Sequence, residues 1–153
     1  MVIQTKYFGE IAVEQSKIIE FEHGLMGFEE YKNYTILYDI DGNQTVSWLQ
    51  STEEPGLALP IMNPLIVKED YQLLVNDEEI RTLGNINEEN MALFVTMTVP
   101  QDITKMTVNL KAPILINSDN CKGCQVIMDN PDYEVKYSIY KMIEQQNDSK
   151  GVE

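Results

Sequence analysis

The chain has 153 residues, 25 of them acidic and 11 basic, for a formal net charge of −14, and 43% of it is hydrophobic. That apolar share supports a packed core and excludes a disordered chain, the length fits one domain better than two, and no apolar run approaches the roughly 18 residues of a membrane span. Arg81 is the only arginine and the lysines are scattered from Lys6 to Lys150, so the clustered cations that neutralise phosphates and the Arg forks that read bases are missing, and no direct nucleic-acid binding is expected.

In chain order, Met1 to Glu14 lacks the apolar block of a secretory signal, so a cytoplasmic protein is expected. Val2 to Tyr7 and Glu10 to Val13 flank Gly9 as a hairpin. Lys17 to Phe21 alternates polar and apolar residues before Gly24, and Phe28 to Lys32 reads as a single turn. Tyr34 to Asp39 and Val46 to Gln50 form a second hairpin through Asp41-Gly42-Asn43. Pro55-Gly56 turns the chain into Leu57 to Met62, and Leu65 to Val67 and Gln72 to Val75 are shorter strand candidates. Asn76 caps a short helix with Glu79 as reciprocal partner, Ile80 and Leu83 on its buried side, and Gly84 as its stop. Met91 to Val99, Met106 to Leu110, Ile114 to Ile116 and Gln125 to Met128 complete the strands. Tyr133 to Gln146 suits either a last strand or a C-terminal helix. Many short strands with almost no alternating helices give an all-β fold, a single antiparallel barrel-like or sandwich domain with one or two short helices. The domain is expected over residues 1–146, with a flexible polar tail at 147–153.

Cys121-Lys122-Gly123-Cys124 is the one conspicuous chemical motif. A structural zinc site needs four ligands, yet there is no third cysteine and His23 is the only histidine. A redox pair belongs at a helix N-terminus, whereas these thiols fall in a turn between two expected strands, so they read as reduced turn thiols. The acid pairs Glu29-Glu30, Glu53-Glu54, Glu69-Asp70 and Glu88-Glu89 read as solvated loops, because adjacent acids in a strand point to opposite faces. No glycine lies in a phosphate-binding pattern. Trp48, the only tryptophan, reads as a core residue. Tyr71, directly after Glu69-Asp70, combines an aromatic contact with an acidic rim. No cofactor is expected. The acidity serves either solubility or a basic protein partner, which it would steer during encounter. A thiol-dependent enzyme using Cys121 and Cys124, and a small-ligand-binding β-module, stay open as alternatives.

Four blocks in order resemble the FliW family of flagellar assembly factors. Thr5-Lys6-Tyr7-Phe8-Gly9-Glu10 is similar to the family's opening, and Gly24-Leu25-Met26-Gly27-Phe28 to its GLPGF signature, with Met26 where proline is usual. Trp48-Leu49-Gln50-Ser51 with Glu54-Pro55-Gly56-Leu57 resembles its WLQS and acidic-Pro segment. Asn109-Leu110-Lys111-Ala112-Pro113-Ile114-Leu115-Ile116-Asn117 resembles its NLxAPxxIN block. The cysteine pair is not part of that pattern. The resemblance implies a non-catalytic β-domain that binds flagellin and the translational regulator CsrA; a monomer is expected, since nothing in the sequence suggests a coiled coil. As a partner switch, it would relieve CsrA repression of flagellin mRNA when flagellin is scarce. Glu69, Asp70 and Tyr71, with Gln50 and Asn109 as polar contacts, are the expected partner-binding residues; Gln50 and Asn109 equally suit the satisfying of buried backbone groups at strand ends. Met62, Met91, Met97, Met106 and Met128 are candidates for an adaptable apolar strip facing flagellin's amphipathic helices, while such residues are more often simply core.

Overall fold

Apolar residues two apart give strands with one buried face, and in this chain those faces close on each other. The computed structural model describes residues 1–38 and 45–140. The strands are β1 (Val2–Thr5), β2 (Gly9–Ala12), β3 (Ile19–Phe21), β4 (Asn33–Leu37), β5 (Ser47–Ser51), β6 (Ala58–Met62), β7 (Met91–Thr98), β8 (Thr107–Val108), β9 (Ile114–Asn117), β10 (Lys122–Gln125) and β11 (Tyr137–Ser138). One helical turn, α1 (Pro64–Val67), follows β6.

Seven strands form a closed barrel in the order β7-β6-β5-β4-β3-β10-β9, with β9 returning to β7 so that Met91 faces Asn117 and Phe94 faces Ile114. The pairings are antiparallel except β3 with β10, which is parallel. A barrel this narrow is filled by its own side chains. Ile19 and Phe21 of β3, Tyr34 of β4, Leu49 of β5, Ile61 of β6 and Ile114 and Ile116 of β9 pack in one cluster. Leu115, between two of these, points the other way and packs with Leu83 and Val126. All four residues of β9 are therefore buried.

The far half of β7 pairs with β8 instead of β9, Met97 facing Val108, and β11 adds to β8. The segment Asn109–Pro113 thus carries the chain from one partner of β7 to the next. Outside the barrel, Met62, Tyr71, Val95, Met97, Met106, Val108, Met128 and Tyr133 build a second core under the chain that follows α1 and β10. The hairpin β1–β2 is a separate two-stranded sheet, and Gly9 supplies its left-handed turn residue with φ +72°.

Several local expectations change. Leu65 to Val67 is a helical turn, because the Asn63 side chain accepts the Leu65 N–H and Pro64 takes the first helical position. Gln72 to Val75 pairs with no strand. The Asn76 segment is a turn leading into a 3-10 turn at Arg81–Leu83; Asn76 and Glu79 do bond reciprocally, at 2.8 and 2.9 Å. The last strand of the barrel begins earlier than Gln125, so Lys122, Gly123 and Cys124 lie on β10 and only Cys121 remains in the turn, with φ 55°. Met62, Met97, Met106 and Met128 are buried and Met91 is partly buried, so these methionines belong to the core and form no exposed strip. The Asp41-Gly42-Asn43 turn and residues 141–153 lie outside the described residues.

Candidate partner-binding surface

The expected contact residues fall into two environments. Glu69 and Asp70 are exposed, and Asp70 lies 3.5 Å from Lys68. Tyr71 turns inward: its hydroxyl donates to the Leu110 carbonyl at 2.7 Å, and its ring stacks on Tyr133 at 4.7 Å between centroids. Burial holds that hydroxyl well above the usual tyrosine range. Asn109 sits at the kink between β8 and β9, where its Oδ1 accepts from the Lys111 and Ala112 N–H groups, each at 3.1 Å. The Tyr71 hydroxyl thus fastens the acidic Glu69-Asp70 loop to the residue next to Asn109. Gln50 is elsewhere. It faces Ala58 where β5 turns into β6, the opposite end of β6 from α1, and is fully buried with its Nε2 donating to the Ser51 and Pro55 carbonyls. Tyr71 and Gln50 are therefore interior residues in this state, and Asn109 is a half-buried turn-former.

A second acidic region comes together only in the fold. The charge of Glu30, then burial, then the charges of Glu54 and Glu53 raise the Tyr31 hydroxyl, which places three carboxylates around one ring. Glu53, expected in a solvated loop, instead accepts through its Oε1 the N–H groups of Lys32 and Asn33 and the Asn33 side-chain amide at 2.8–3.1 Å. Nothing local in the sequence signals this clamp, since its partners come from the far side of the β4–β5 connection.

A cleft of about 280 Å³ gathers His23, Glu22, Glu78, Glu79, Arg81 and Cys124. Burial, and then the charge of Glu79, push the Cys124 thiol up to about 11, the direction opposite to an activated nucleophile. Cys121 points away, its thiol donating to the Ser16 carbonyl, and both cysteines are free. Among the described residues no group of three His, Cys, Asp or Glu side chains is arranged to hold a metal ion. Among them, too, no helix is long and apolar enough to cross a membrane.

The first glycine of the signature sits at a close backbone approach. Gly24 has φ +68°, and a Cβ there would lie 2.7 Å from the Glu29 backbone. Met26 uses the N–H that a proline would lack, donating to Gln125 Oε1 at 2.9 Å, while Gln125 Nε2 donates to the Ala112 carbonyl at 3.0 Å. Gln125 therefore ties this loop to the Asn109–Pro113 kink, a role the sequence reading missed.

The chain is similar to known proteins over most of its length. The family profile described as FliW protein matches residues 2–139. The chain belongs to the FliW family. A FliW-family relative named flagellar assembly factor FliW, from Lachnoclostridium phytofermentans, is 52% identical over 143 residues, 92% of each chain. Another of that name, from Lachnospira eligens, is 48% identical over 149 residues, 95% of this chain and 99% of the relative. A crystal structure of the flagellar assembly factor FliW aligns with a TM-score of 0.82 at 32% identity, covering 91% of this chain and 96% of that one. The closed barrel described above is thus the fold of a FliW-family member.

Proposed function

We propose that this protein is a cytoplasmic, monomeric flagellar assembly factor that works by binding proteins and catalyses no reaction. The observation that carries the reading is the near full-length match, in sequence and in fold, to proteins named flagellar assembly factors. The partners are flagellin and a CsrA-type translational regulator. Free protein holds the regulator and relieves its repression of flagellin mRNA, and accumulating flagellin displaces it.

The charge distribution gives this switch a physical basis. Exposed Glu69 and Asp70, and the acids gathered around Tyr31, suit a small basic RNA-binding partner. Tyr71 and Asn109 act from beneath as positioning residues, fixing the loop and the kink, and Gln50 shapes the acidic end near Glu53. Carboxylates held near the RNA path repel phosphates. At about 10 Å and an effective dielectric near 20, one such pair costs about 1.7 kcal/mol before screening. At physiological salt this falls to about 0.5 kcal/mol, so three or four pairs weaken RNA binding roughly tenfold or somewhat more.

The test is calorimetry of the purified protein against CsrA and against flagellin monomers at two salt concentrations. Binding to both, with the CsrA affinity falling in salt, is the expected result; absence of binding to either partner overturns the reading.

A further inference from the structure

Trp48 Nε1 and Gln50 Oε1 are both buried without a hydrogen-bond partner, and they sit two positions apart on β5. Residues two apart share one face of a strand. It is the outer face, because Leu49 between them belongs to the barrel interior. The β1–β2 hairpin covers this face. Phe8 meets the Trp48 ring edge-on with centroids 5.4 Å apart, and the Lys6 N–H and Gln50 Nε2 share the Pro55 carbonyl at 2.9 and 3.4 Å. An indole N–H and an amide oxygen held under such a cover give up the hydrogen bonds that water would supply.

The cover is lightly held. Its two strands pair with each other and with no barrel strand. Among the described residues, the Lys6–Pro55 bond is the one backbone hydrogen bond joining it to the barrel. Ile3 and Val13 are buried yet belong to none of the core clusters. A cleft of about 540 Å³ lies between residues 11–14 on one side and Ile19, Ile36 and Tyr38 on the other. The connection to β3 is a single 3-10 turn, Gln15–Lys17, which carries no side-chain cap and is flanked by extended Glu14 and Ile18.

We infer that residues 1–13 form a flap that opens from the barrel as a unit about the Gln15–Lys17 turn, uncovering Trp48 and Gln50. Closure buries Ile3, Val13 and the Phe8–Trp48 contact. Opening hydrates the two unpartnered polar atoms and widens the cleft. The opposing terms keep the open state far closer in free energy than global unfolding. This device is separate from the partner switch proposed above and stands or falls without it.

Native-state hydrogen exchange on the full chain, followed through low denaturant, tests the flap. Amides of β1 and β2, with Val13, are expected to exchange at least about tenfold faster than those of β5 and β9, and with a shallower denaturant dependence. Phe8→Ala is expected to speed flap exchange by about another tenfold, leave the barrel amides unchanged, and shift the emission of the lone tryptophan to the red. A flap that shares the barrel's rates and denaturant slope overturns the inference, as does a Phe8→Ala variant that accelerates both regions alike. The wild-type comparison decides the matter even where the variant fails to fold.

Discussion

Gly123 lies directly across from Phe21 in the parallel β10–β3 pair, and the Phe21 ring occupies the space that a side chain at Gly123 would take. A Cβ there would stand 2.5 Å from Phe21 Cε1. The ring has no room to retreat, being fully buried and edge-on to Tyr34 with centroids 5.4 Å apart. Glycine in the Cys-Lys-Gly-Cys motif is therefore a barrel-packing residue, whatever the thiols do. Gly123→Ala is expected to cost about 1–3 kcal/mol through overpacking, read as a lowered denaturation midpoint. A loss below about 0.5 kcal/mol would show that the ring can shift.

Two buried tyrosines should respond oppositely to loss of the hydroxyl. Tyr71 donates to Leu110, so Tyr71→Phe is expected to destabilise by about 1 kcal/mol and leave a carbonyl short of a donor. The Tyr34 hydroxyl is buried without a partner and pushed up to about 12, mainly by burial and then by Glu53. Tyr34→Phe is accordingly expected to be neutral or to stabilise by up to about 1 kcal/mol. Equal losses in urea denaturation for both variants would contradict the assignment.

The Cys124 thiol sets an alkaline limit. Its value rises from the ordinary 9.0 to about 11 on folding. The folded state thus holds the proton more tightly, and this contribution to stability is fully present below pH 9 and is lost as pH rises to about 11. At pH 8 the thiolate fraction falls about a hundredfold below that of an ordinary thiol. Native Cys124 is expected to resist iodoacetamide at pH 8 and to react promptly in denaturant, as followed by mass spectrometry. Rapid native labelling at Cys124 would reopen the thiol-enzyme reading.

Charge at the Glu69-Asp70 loop should matter for partners and little for folding. The double variant Glu69→Gln with Asp70→Asn is expected to stay within about 0.5 kcal/mol of the parent in stability, because both carboxylates are exposed. It should weaken CsrA binding several-fold at low salt, with the difference shrinking at high salt. An unchanged affinity at low salt would move the binding surface to the acids around Tyr31.

Local chemistry was legible where local forces decide. The Gly9 hairpin, the pairing of β4 with β5, and the Asn76–Glu79 reciprocal bonds rest on neighbours in the chain, and each was readable from turn residues, alternation or capping pattern. The all-β class and the acidity followed from the residues alone, and the motif order carried the family. The short apolar run after Asn63 reads as a strand but folds as a helical turn, because three residues do not separate the two and the Asn63 cap with Pro64 decides. What only the tertiary structure decided depends on segments far apart in sequence: β9 closing onto β7, β10 lying parallel to β3, and the Phe21 ring filling the place beside Gly123. The same holds for Tyr71 and Gln50. Their residue types suit a surface contact, but whether a polar tip meets water or a distant carbonyl is set by which strands close around it, and alternation along one strand specifies a face without specifying what covers it.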